Sequence, residues 1–149
     1  MKAEIITVGT EILLGDILNT NCRYLSRELA AMGIEMYYQI TVGDNEERLL
    51  KTLEESLNRS DIVICTGGLG PTEDDITKEV CAKYFDMEME FHESSWDKII
   101  EIHNKMNRKP TENNRKQAYF PTGSLILPNK YGTAPGCIME KDKKTIIVM

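Results

Sequence analysis

The sequence predicts a three-layer α/β/α sandwich around a mostly parallel sheet. Three observations predict it. Apolar residues recur alternately at strand and helix spacing through the first half, in the order β-α-β-α-β-α. The run Asp61-Ile62-Val63-Ile64-Cys65 is short and nearly all apolar, as suits a strand covered on both faces of a parallel sheet. A glycine-rich turn follows it and leads directly into a helical pattern. Parallel neighbours require right-handed crossovers, and these lay helices over both faces.

The elements follow in order. Ala3 to Val8 is a β-rich apolar run and the first strand. Leu18, Cys22, Leu25, Leu29 and Met32 then form an amphipathic helical stripe, stopped by Gly33. Glu35 to Val42 is the second strand. Asp44-Asn45-Glu46-Glu47 has capping-box spacing, with the Asp44 carboxylate expected to accept from the third helical N–H. The next helix carries Leu49, Leu50, Leu53 and Leu57 on one face. After Asp61–Cys65 and the glycine turn, a helix is expected from about Asp75 to Phe85.

The second half is less regular. Met87 to Phe91 reads as a short strand. Ser94 or Ser95 is expected to cap a helix with Trp96, Ile99, Ile100, His103 and Met106 inward. Pro110 breaks it, and Thr111 caps a shorter helix through Tyr119. Pro121-Thr122-Gly123 is a turn, Leu125–Leu127 a small strand, and Asn129–Gly136 a loop. Cys137–Glu140 and Thr145–Met149 form a hairpin closed by Lys141-Asp142-Lys143-Lys144. The chain stops inside an apolar strand, so residues 1–149 are expected to be one domain cut at its C-terminus from a longer protein.

Charge excludes one class of function. Lys and Arg number 18 against 24 Asp and Glu, a net −6, whereas nucleic-acid binding needs a basic face. No apolar run approaches the ~20 residues of a membrane span. Glu4 interrupts an N-terminal run already too short for a signal peptide, which places the protein in the cytoplasm. Cys22, Cys65, Cys81 and Cys137 form no C-x-x-C pair and read as buried, reduced thiols. His92 and His103 match no metal-binding spacing.

The chemistry concentrates in Thr66-Gly67-Gly68-Leu69-Gly70-Pro71-Thr72-Glu73-Asp74-Asp75. Glycines let backbone N–H groups approach a ligand, and the following helix start adds free donors and partial positive charge. At the carboxyl end of a central strand this forms a site suited to phosphate or pyrophosphate. Neither a P-loop nor a full G-x-G-x-x-G is present. Carboxylates beside an anion repel it, and a divalent cation reconciles the two. Asp75, with Asp74 or Asp16, is therefore the candidate metal ligand. The competing reading is that Asp74 or Asp75 only caps the helix.

Three further segments could join this site. Gly9, Thr10, Glu11, Asp16, Asn19 and Asn21 follow the first strand and open at the same sheet edge; alternatively Asn19 or Thr20 is a cap and Asp16 a turn residue. Asn113, Arg115, Lys116 and Gln117 could clamp a phosphate, or form a solvated helix face. Asn129, Lys130 and Gly132 lie on a loop that could close over a ligand, or is an ordinary turn.

Taken together, these segments resemble the N-terminal domain of the competence/damage-inducible protein CinA family. The likeness rests on Val8-Gly9-Thr10-Glu11, Leu14-Gly15-Asp16, Asn19-Thr20-Asn21, Thr66 to Thr72 with Asp74-Asp75, Asn113-x-Arg115-x-Gln117-Ala118, and Asn129 with Gly132 to Gly136. It places the chain in the molybdopterin-binding superfamily of MogA, MoaB and the gephyrin G and E domains, and implies their fold. Thr66–Gly70 matches the superfamily's Thr-Gly-Gly-Thr-Gly loop with Leu69 in place of threonine, and Asp75 matches its aspartate. The resemblance implies ADP-ribose pyrophosphatase activity yielding AMP and ribose 5-phosphate. A divalent cation of the magnesium or cobalt type is implied, with K+ as a further candidate ion. It implies homo-oligomers, and a C-terminal nicotinamide mononucleotide deamidase domain that is absent here. In the pyrophosphatase reading Asp75 and Asp74 are catalytic, and Arg115 and Lys130 neutralise transition-state charge. The alternative is a molybdopterin or nucleotide-binding domain without catalysis.

Overall fold

A computed structural model of the chain describes residues 1–149. The elements are β1 (Lys2–Val8), α1 (Thr10–Leu13), α2 (Thr20–Ala31), β2 (Glu35–Val42), α3 (Glu46–Arg59), β3 (Ile62–Thr66), α4 (Thr77–Tyr84), β4 (Met89–Phe91) and α5 (Glu93–Lys105). A 3-10 segment (Glu112–Ala118) follows, then β5 (Tyr119–Pro121), β6 (Leu125–Leu127), β7 (Gly136–Lys141) and β8 (Lys144–Val148). Six strands make one sheet in the order β2-β1-β3-β8-β7-β6, and β4 and β5 form a separate ribbon. β2, β1, β3 and β8 run parallel, while β7 opposes both neighbours.

Strand alternation feeds two cores. Ile6 and Val8 face Leu49, Leu53, Val80 and Cys81 of α3 and α4. Ala3 and Ile5 face Cys22 and Leu29 of α2. The three layers predicted from the alternation are thus present, with α2 on one face and α3 and α4 on the other. All four cysteines are buried free thiols. No helix is long and apolar enough to cross a membrane.

Several element ends differ from expectation, each for a local reason. α2 starts at Thr20, because Asn19 caps it by accepting from the Cys22 N–H at 3.0 Å. Leu18 therefore precedes the helix and is 84% exposed, outside the apolar stripe. Asn45 caps α3, accepting from Arg48 N–H, while Asp44 accepts instead from the backbone and hydroxyl of Thr10. α4 begins at Thr77, not Asp75, and has no side-chain cap. Ser94 and Ser95 lie within the first turn of α5, their hydroxyls against Nδ1 of His92. The segment after Thr111 is a 3-10 helix, capped as expected by Thr111 but with Asn114 as its reciprocal partner.

Glu4, which breaks the apolar run of β1, is 1% exposed. Arg59 grips it through two hydrogen bonds of 2.7 and 2.9 Å, and the Ser60 hydroxyl adds a third at 2.7 Å. Burial pushes the carboxyl up, but the hydrogen bonds from Arg59 and Ser60 outweigh it and hold Glu4 below its ordinary range. The ion pair fixes the end of α3 against β1, at the sheet edge remote from the glycine turn.

Candidate functional site

The parallel strands end together. Val8 pairs with Val42, Thr7 with Thr66, and Cys65 with Val148, so β1, β2, β3 and β8 deliver their carboxyl ends to one edge. The turn Gly67–Gly70 leaves β3 there. Gly67 and Gly68 have φ of +95° and +64°, in the left-handed region that favours glycine. Side chains at these two positions would run into the Val8 carbonyl oxygen and the Thr77 hydroxyl respectively. The Thr77 hydroxyl donates to Gly67 O at 2.8 Å, Thr77 N–H to Gly68 O at 3.2 Å, and Gly67 N–H to Met149 O at 3.3 Å. Leu69 turns back to pack against the core beneath the turn, so its side chain anchors the loop.

The acidic residues divide. Asp75 accepts through Oδ2 from the Thr72 N–H at 2.9 Å and from the Thr72 hydroxyl, closing the turn three residues back. Its carboxylate also fills the space in which a side chain on Gly70 would sit. Asp75 is thus a brace of the loop rather than a cap of α4. Asp74 is exposed, with the charge of Lys116 nearby. Asp16 lies in an exposed turn after α1. The structure assembles no group of three or more His, Cys, Asp or Glu side chains able to hold a metal. Asp16, Asp74 and Asp75 therefore do not form a closed cage. Two carboxylates beside the glycine turn still fit a magnesium-type ion, which takes one or two carboxylates and fills its shell with water and ligand oxygens.

The flanking segments also sort themselves. Thr10 is tied to Asp44, and Asn19 to Thr7 and Cys22, so both serve structure. Glu11 folds its carboxylate over Gly9. Asn21, Thr66, Asn129 and Lys130 line one open cleft of about 520 Å³, together with Tyr24 and Tyr131. The Asn129 carboxamide accepts from Tyr131 and Gly132 N–H groups at 2.9 Å and donates to Ala134 O at 3.0 Å, which shapes that loop.

Arg115 already has protein partners in the structure. Arg115 lies over the rings of Phe91 and Trp96, 4.6 and 5.5 Å from their centroids, and pairs with Glu112. The neighbouring cation reaches the loop instead: Lys116 Nζ donates to Thr72 O at 3.0 Å. Gln117 is 2% exposed, with Nε2 placed 3.4 Å from both Leu69 O and Thr133 Oγ1.

Sequence reasoning passed over Lys78, which in the chain looks like any helical lysine. It is 3% exposed, and Nζ donates to Gln117 O at 3.0 Å and Tyr119 O at 2.8 Å, over the Phe120 ring. Burial without a carboxylate partner lowers its pKa from 10.5 to about 8. Between those values the unfolded chain carries the proton and the folded chain has lost it, so this group makes stability rise with pH. From pH 8 to 10.5, the wild type is expected to gain about 3 kcal/mol relative to Lys78→Met. Denaturant unfolding of both proteins across that range checks this, since the difference cancels the titration of groups common to both. Parallel curves would show that Lys78 stays protonated.

Comparison with known proteins bears on this edge. Residues 4–149 match the family described as a probable molybdopterin binding domain. Proteins named competence-damage inducible protein from Clostridium acetobutylicum and Clostridioides difficile are 55% and 58% identical over all 149 residues. The chain spans 36% of the length of each. The crystal structure of the protein CinA from Thermoplasma acidophilum superposes with a TM-score of 0.87 at 32% identity, covering 99% of this chain and 86% of that one. The molybdopterin biosynthesis enzyme MoaB of Thermus thermophilus superposes with a TM-score of 0.64 at 17% identity, covering 99% and 79%, a likeness of fold.

Proposed function

The chain belongs to the molybdopterin-binding domain family in its CinA form, and on that premise we propose that it is a metal-dependent pyrophosphatase hydrolysing ADP-ribose to AMP and ribose 5-phosphate. One observation supports the chemistry above all. A turn of glycines with left-handed backbone leaves a central strand of a mostly parallel sheet, and after Pro71-Thr72-Glu73 come two adjacent carboxylates, Asp74 and Asp75. The resemblance to the CinA family supports ADP-ribose as the substrate.

The residues divide the work. Backbone N–H groups of Gly68 to Gly70 hold the diphosphate, and the bonds donated by Thr77 and accepted by the Met149 carbonyl keep that turn in shape beforehand. Donors fixed in advance stabilise charge moving onto phosphate oxygens without reorganising. Lys116, at the loop, and Lys130, in the cleft, offset that charge in place of Arg115. Asp75 and Asp74 would hold a divalent cation, whose chemistry is to polarise the phosphorus–oxygen bond as a Lewis acid. Asn21 and Tyr24, lining the cleft next to Thr66, face the rest of the nucleotide.

Incubation with ADP-ribose and Mg2+ or Co2+, followed by chromatography, is expected to yield AMP and ribose 5-phosphate in equal amounts. A second reading, a nucleotide- or pterin-binding domain without catalysis, draws support from the match to the family described as a probable molybdopterin binding domain. Calorimetric binding of ADP-ribose with no AMP formed selects that reading.

A further inference from the structure

Gln117 sits where two loops of the site meet. Its side chain is buried at 2% exposure inside the 3-10 segment. A carboxamide has two N–H groups. Here Nε2 lies 3.4 Å from Leu69 O in the glycine turn and 3.4 Å from Thr133 Oγ1 in the Asn129–Gly136 loop. Its Oε1 accepts from Asn114 Nδ2, also at 3.4 Å. The backbone beneath is anchored separately, because Lys78 Nζ holds Gln117 O at 3.0 Å. No other side chain in the structure bonds to both loops.

The distances carry information. Strong N–H···O bonds run from about 2.7 to 3.2 Å. At 3.4 Å both contacts have room to shorten when either loop moves inward. The outward face of the same loop lines the cleft that holds Thr66 and Lys130. A ligand bridging the glycine turn and Lys130 therefore meets two loops that share one hidden amide.

We propose that Gln117 is a positioning residue coupling the glycine turn to the Asn129–Gly136 loop, so that a phosphoanhydride ligand ordering one loop orders the other. The ligand class rests on the pyrophosphatase reading; the coupling of the loops does not. Two variants separate the tethers. Gln117→Met keeps volume and loses both donors. Thr133→Val keeps shape and loses only the second acceptor.

Hydrogen exchange of the full chain without ligand is the first measurement. Gln117→Met is expected to speed amide exchange at least about fivefold in both 67–72 and 129–136, a loss of about 1 kcal/mol of local stability. Thr133→Val is expected to speed exchange in 129–136 alone. Steady-state hydrolysis of ADP-ribose with Mg2+ is the second. Here Gln117→Met is expected to raise KM about tenfold with kcat within about twofold, because binding must now order both loops. Exchange confined to one loop in Gln117→Met, or spread evenly over the sheet, overturns the coupling. So does unchanged exchange in Thr133→Val, which stays decisive even if Gln117→Met fails to fold. Loss of wild-type hydrolysis with the exchange pattern intact refutes the pyrophosphatase reading and leaves the coupling standing.

Discussion

Asp75→Asn is expected to lower ADP-ribose hydrolysis by about 10³-fold while leaving the melting temperature within about 2 °C of wild type. The two effects separate because the proposed function gives Asp75 a second task beside bracing the loop. Its Oδ2 accepts from Thr72 N–H and hydroxyl, and an asparagine oxygen accepts those same bonds. The negative charge beside the glycine turn is what asparagine lacks. A metal's contribution to phosphoryl chemistry is worth several kcal/mol, and each decade of rate corresponds to about 1.4 kcal/mol. Asp75→Ala removes both brace and charge, so it should lose activity and stability together. Unchanged turnover in the asparagine variant would remove Asp75 from the chemistry and leave it as a brace of the loop.

Gly67→Ala is expected to destabilise the fold by at least about 4 kcal/mol, a fall of roughly 8–16 °C in melting temperature at this size. The φ of +95° strains any side chain, and the added carbon would run into the Val8 carbonyl oxygen at the end of β1. That oxygen belongs to the backbone of a central strand and cannot swing aside. Gly123→Ala is the control. Its φ is +79°, but nothing lies within 4 Å of the added carbon, so the cost falls to about 1–2 kcal/mol of backbone strain. Calorimetric melting of both variants tests the comparison. Equal losses would mean the approach of the turn to β1 is looser than the structure shows.

The legible part of this fold was its local periodicity. Ile62 to Cys65 declares a strand buried on both faces, and Leu49, Leu53 and Leu57 declare one side of a helix. Strand order is a long-range property, and no residue in Thr145–Val148 reveals that β8 inserts between β3 and β7. Caps failed by one residue where two cap formers are adjacent: Asp44 and Asn45 both qualify, and the competing Thr10 donors captured Asp44.

At the site, the glycine turn was visible because few other sequences tolerate its backbone. The surroundings of Arg115 were not legible because the segment is a 3-10 helix. Three residues per turn align Asn114 with Gln117, both buried, and send Arg115 and Lys116 to different neighbours. Charge count alone could not decide between them; the aromatic faces of Phe91 and Trp96 did. Buried Lys78 and Glu4 were hidden for a related reason. Their surroundings come from β5, the 3-10 segment and α3, remote in the chain.

The position of β8 has a consequence for biosynthesis. β3 pairs with β1 early in the chain, but its other edge waits for Lys144–Val148. Until the ribosome has released those residues, Val63 and Ile64 present an open apolar edge, the kind that recruits foreign strands. The glycine turn shares the delay, since Gly67 N–H and Cys65 O both bond to Met149. The β3–β8 pairing and the bonds that fix the glycine turn are therefore completed together, and a nascent chain halted before residue 144 acquires neither.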